Sequence, residues 1–133
     1  MSFDIFLQCF RNREPTTFPR GLFEEIFARH AIAPRFPLDE VTYGDGGAAI
    51  YGGDDDDIQG LMFNHCGGET FFSALYQLAQ RTGSVVFWPD TAPSTAVTDA
   101  GTIAHLPEGF DRLGPPYVAR SGCDLADYIS RPT

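Results

Sequence analysis

Hydrophobic and polar residues alternate at the start of the chain. Phe3, Ile5, Leu7 and Cys9 are interleaved with Asp4, Phe6, Gln8 and Phe10, a period of two that predicts a β-strand. The polar stretch Arg11 to Pro15 ends it. Pro19 suits a first helical turn, and from there Phe18, Leu22, Phe23, Ile26 and Phe27 recur at helical spacing. Arg20, Glu24, Glu25 and Arg29 occupy the opposite face, and Glu25 with Arg29 forms a favourably ordered i,i+4 pair. Ala33 to Pro37 breaks the helix.

A weak strand is predicted over Val41 to Tyr43 and a better one over Ala48 to Tyr51. Gly52 to Asp57 reads as an exposed turn, and Ile58 to Asn64 as the return strand of a hairpin. Gly67-Gly68 precedes a second helix, in which Phe71, Ala74, Leu75, Leu78 and Ala79 share one face and Gly83 stands where a C-terminal cap belongs. Ser84 to Trp88 is an apolar, β-branched strand closed by Pro89.

The order strand, helix, hairpin, helix, strand predicts an α+β fold on the ferredoxin-like βαββαβ plan, with two helices on one face of an antiparallel sheet. Residues 1–133 are expected to form one domain, with a core over 1–90 and an extension over 91–133 packed on it. In the extension, Thr95 to Val97 and Thr102 to His105 are expected as short strands. Asp124 to Ser130 is expected as a short helix with Leu125, Tyr128 and Ile129 facing inward.

Composition narrows the function. The 133 residues are 43% hydrophobic and 14% aromatic, which suits a packed core rather than disorder. The net charge is −9 and no basic cluster exists to neutralise phosphates, so neither nucleic acid nor an anionic membrane is expected as a partner. An acidic surface serves solubility or a basic protein partner. Cys9, Cys66 and Cys123 are scattered and odd in number, which argues against a disulfide framework. The first residues read as a strand rather than a signal peptide, and no apolar run approaches a membrane span. The cytoplasm is the expected location.

Three short strings test badly as catalytic motifs. Gly44-Asp45-Gly46-Gly47-Ala48-Ala49 fits G-x-G-x-x-A, but a dinucleotide fingerprint must open a helix, and Ile50-Tyr51 prefers a strand. His65-Cys66-Gly67-Gly68 and Trp88-Pro89-Asp90 resemble two motifs of tyrosine phosphatases. The phosphate-clamping arginine of that family falls on Phe72 here, and the order of the two strings is reversed. Cys66 precedes a helix N-terminus, which lowers a thiol pKa, although a single cysteine is ordinarily a small buried hydrophobe. Asp54, Asp55, Asp56 and Asp57 lack the spacing of a calcium loop and read as a solvated hairpin tip, next as an adventitious metal contact, and third as an acidic knob for a basic partner. No metal and no cofactor is expected.

Both faces of the sheet are apolar: Phe6, Phe10, Tyr51 and Phe63 join either Val86 with Trp88 or Val85 with Phe87. Two helices cover one face, so the other is left for the extension, a second subunit or a ligand. The expected function is a non-enzymatic protein-binding module with a basic partner or a second copy. In general character it is similar to small acidic bacterial immunity proteins, with no motif shared. Its candidate contact residues are Asp54 to Asp57, Phe6 and Phe10. The alternative is a small-molecule-binding protein or enzyme with a pocket lined by His65, Cys66, Trp88 and His105.

Overall fold

The computed structural model describes residues 4–89, 94–110 and 115–130; Phe3, Asp90 and the first residues of the extension lie outside them. The strands are β1 (Ile5–Arg11), β2 (Glu14–Pro15), β3 (Phe18–Pro19), β4 (Glu40–Tyr43), β5 (Gly46–Tyr51), β6 (Asp57–Ile58), β7 (Gly60–Gly67), β8 (Ser84–Phe87), β9 (Thr95–Val97) and β10 (Tyr117–Val118). The helices are α1 (Arg20–Ala28), α2 (Glu69–Thr82) and α3 (Gly122–Ser130), with a 3-10 helix at Ala100–His105. The fold is α+β, with a mostly antiparallel sheet in the order β10-β9-β8-β1-β7-β5-β4. Among the described residues β9 and β10 alone run parallel in it, and β2 pairs with β1 off the main path.

Period two in β1 becomes two-sided burial. Ile5, Leu7 and Cys9 enter one core with Phe23 and Ile26 of α1, Phe71 and Leu75 of α2, and Leu125, Tyr128 and Ile129 of α3. All three helices therefore lie on one face. Phe27, Phe63 and Phe71 form its centre, with ring centroids 5.4–6.1 Å apart and each ring fully buried. Val86 and Trp88 also face this side, and Trp88 packs edge-on against Tyr128 at 5.8 Å.

Local chemistry closes the elements. Asn12 and Arg13 both take positive φ, 52° and 70°, making the two-residue turn that suits strand twist between β1 and β2. Gly83 ends α2 in the left-handed conformation and returns its N–H to the Ala79 carbonyl. At the end of β7, Gly67 pairs with Gly47 while Asn64 pairs with Ala49. The extra residue is absorbed as a bulge at His65, whose φ is +53°.

Three short assignments differ from expectation. Phe18 and Pro19 form β3 rather than a first helical turn, and α1 starts at Arg20. Ile58 does not begin the return strand: β6 leaves the hairpin to pair with β3, Phe18 opposite Ile58, and the return strand starts at Gly60. Thr102 to His105 is helical rather than extended, because the Asp99 side chain accepts the Gly101 N–H at 2.9 Å and caps a 3-10 turn. The sheet is also wider than a four-stranded plan, gaining β4 at one edge and β9 and β10 at the other.

Candidate functional site

The second face of the sheet is divided. At the β8–β9 side, Phe10, Val85, Val97 and Leu106 are buried in a separate small core, with Phe87, Ile103 and Phe110 packed on it. Phe110 meets Phe10 and Phe87 edge-on, at 5.5 and 5.6 Å. The extension thus seals this half, and Phe10 belongs to the seal rather than to an exposed contact surface.

No described residue of the extension covers the other half beyond Phe87. Register places Tyr51 beside Met62, Met62 beside Phe6, and Phe6 beside Phe87. Four large apolar side chains form one row across β5, β7, β1 and β8, about 14 Å long at the usual strand spacing. Phe6 stacks on Phe87 at 5.2 Å, and Tyr51 is 50% exposed. The next position along the strands is almost bare: Gly60 pairs with Gln8, and Gly52 follows Tyr51. A Cβ at Gly52 would stand 2.9 Å from the Gly60 carbonyl oxygen, and one at Gly60 would stand 3.2 Å from that of Leu7. The aromatic row and the glycine floor border a shallow hollow that opens widely to solvent.

Its surroundings are acidic. On the far side of the row, Glu40 pairs with Ala49 and Ala49 with Asn64, and Asp4 precedes the row on β1 by one repeat of the pleat. Beyond Gly52 and the buried Gly53 come Asp54 to Asp57, all exposed. This is more than a free hairpin tip. Arg20 donates to the Asp54 carbonyl at 2.8 Å and pairs with the Asp56 carboxylate at 3.2 Å, while its own N–H donates to the Asp56 carbonyl. The loop is fastened to the start of α1, and the side chains of Asp54, Asp55 and Asp57 form no ion pair among the described residues.

The residues of the alternative pocket do not gather round one cavity. Trp88 is buried among the helices, 3% exposed. Cys66 is half-buried on the same core, and burial, with Asp4 nearby, pushes its thiol up to about 12. Desolvation outweighs the helix terminus there. His65 sits exposed on the bulge. His105 lies at the other end of the sheet, where its Nδ1 accepts the Asn12 N–H at 3.0 Å and its carbonyl accepts the Arg13 N–H at 2.8 Å. Trp88 stands level with the start of β1 and His105 beyond its end, about 20 Å apart along the strand.

Among the described residues, no three His, Cys, Asp or Glu side chains are placed to hold a metal ion, and no helix is long and apolar enough to cross a membrane. The Gly52–Gly60 floor was missed by sequence reasoning. Its signal was present as two glycines flanking the aspartate loop, but their pairing across strands depends on register. No protein-family model matches the chain, and no curated protein or solved structure matches it either.

Proposed function

We propose that this protein is a non-enzymatic binding module that docks a basic protein on the open half of its sheet. The row Tyr51–Met62–Phe6–Phe87 carries the reading. The row is capped by Phe110 only at its Phe87 end; among the described residues the remainder, from Phe6 to the half-exposed Tyr51, is a surface with an occupant to find. Charge identifies the occupant: Asp4, Glu40 and the Asp54–Asp57 loop border the row, and among the described residues no arginine stands on the strand positions of the row or on those paired beside them. A second copy would set these carboxylates and a net −9 against the same, which disfavours self-association. The small acidic immunity proteins offer a parallel in general character.

The architecture is read as a split βαβ plan. The order β8-β1-β7-β5 with α1 and α2 on one face supports that reading, and β4, β9, β10 and α3 are additions to it. Three free cysteines suit a reducing compartment, in keeping with the cytoplasm.

The test compares immobilised wild-type protein with a Tyr51→Asp variant in extracts of the native host, at low and high salt. We expect a stoichiometric partner of basic character, retained by the wild type, released by salt and not retained by the variant. Identical captures by both proteins would refute the assignment of this face.

A further inference from the structure

We infer that the hollow beside the aromatic row receives one apolar side chain of the partner, presented between cationic residues that meet the aspartate loop. This deepens the reading of the open face and rests on it.

The shape comes first. The hollow exists because positions 52 and 60 lack side chains on neighbouring strands, while Tyr51, Met62, Phe6 and Phe87 stand up along its side. A glycine floor bordered by standing side chains suits a protruding group rather than another flat sheet.

The chemistry excludes a polar small molecule as the occupant. Pockets for such ligands place several polar groups convergently. Here the side-chain hydrogen-bonding groups are the Gln8 amide and the Tyr51 hydroxyl, with no charged group among the described residues of the lining. The surface therefore rewards burial of hydrocarbon, about 25 cal/mol per Å² removed from water.

The flanking charge comes from fixed geometry. Asp54 lies two residues beyond Gly52, so the loop begins at the rim of the hollow. Arg20 anchors its backbone and takes up Asp56, which leaves the Asp54, Asp55 and Asp57 carboxylates turned to solvent. A partner chain with an arginine or lysine a few residues from its apolar anchor reaches both features at once, and desolvated charge pairs of this kind set specificity.

A phage-displayed library of random peptides, panned on the wild-type protein and counter-selected on Tyr51→Asp, decides the matter. Enriched peptides are expected to carry one leucine, isoleucine, methionine or aromatic residue with arginine or lysine close by. Synthetic copies are expected to lose about tenfold or more in affinity on Gly60→Leu, which raises a side chain from the glycine floor, an effect in the range of an interface hot spot. They are expected to weaken several-fold, and to lose salt dependence, on combined Asp54→Asn, Asp55→Asn and Asp57→Asn. If Gly60→Leu unfolds on thermal denaturation, Gln8→Phe, which adds bulk at the position paired with Gly60, carries the same comparison. Peptides that lack basic residues, or that bind the bulkier variant as well as the wild type, overturn the inference and leave the open face intact as a binding surface. Failure to enrich anything over Tyr51→Asp overturns the face itself.

Discussion

Asp45 supplies at a distance what the start of α2 lacks. The capping position is Gly68, with no side chain to offer, and the Asp45 Oδ2 in the β4–β5 turn accepts the Thr70 N–H at 3.1 Å. That bond holds the Asp45 carboxyl below its ordinary range. A carboxyl lowered in the folded state adds stability above its unfolded pKa of about 3.9 and loses it as pH falls through the folded value. Asp45→Ala is expected to melt at lower temperature than wild type at neutral pH, and the difference should close in acid; thermal scans from pH 7 downward measure both. Tyr43 makes a comparable long-range tie, its buried hydroxyl donating to the Phe27 carbonyl at 2.6 Å. Tyr43→Phe strands that carbonyl and is expected to cost about 1–3 kcal/mol in denaturant titration. Neither tie was legible in the sequence, since Gly44-Asp45-Gly46 declares only a turn and its partner lies 25 residues on. Cys66 shows the same limit. Its place before a helix suggested activation, whereas its burial, set by tertiary packing, favours the neutral thiol. Brief alkylation followed by mass spectrometry should label exposed Cys123 ahead of Cys66 and buried Cys9.

Elements were legible in proportion to their length. The spacing of Phe71, Leu75 and Leu78 fixes α2 and its inward face, and all three residues are buried. Leu75→Ala is expected to cost about 2–5 kcal/mol through lost burial and a residual cavity. Gln80→Ala, on the exposed face of the same helix, should stay within about 0.5 kcal/mol. Equal losses in denaturant titration would contradict the register. α3 followed the same rule, with Leu125, Tyr128 and Ile129 inward as their spacing implied. Two-residue strands such as β3, β6 and β10 carry no period at all. They exist because another segment offers a free edge: Phe18 meets Ile58, and Tyr117 meets Ala96. Thr102 to His105 misled for a related reason, since β-branched residues over a single turn say less than the Asp99 cap that precedes them.

At the scale of the molecule, alternation in β1, β7 and β8 made both sheet faces legible as apolar. Which half the extension would seal was not, because that depends on where Leu106 and Phe110 return over the sheet. The division of the second face is the centre of the functional reading: Phe10 serves folding, and Tyr51 is free to serve a partner. Equilibrium denaturation of two alanine variants tests it most directly. Phe10, 8% exposed under Phe110, is expected to cost about 3–5 kcal/mol as Phe10→Ala. Tyr51, half exposed at the end of the open row, is expected to cost about 1 kcal/mol at most as Tyr51→Ala. Comparable losses at the two positions would mean that both halves of the face are core, and would contradict an open docking surface.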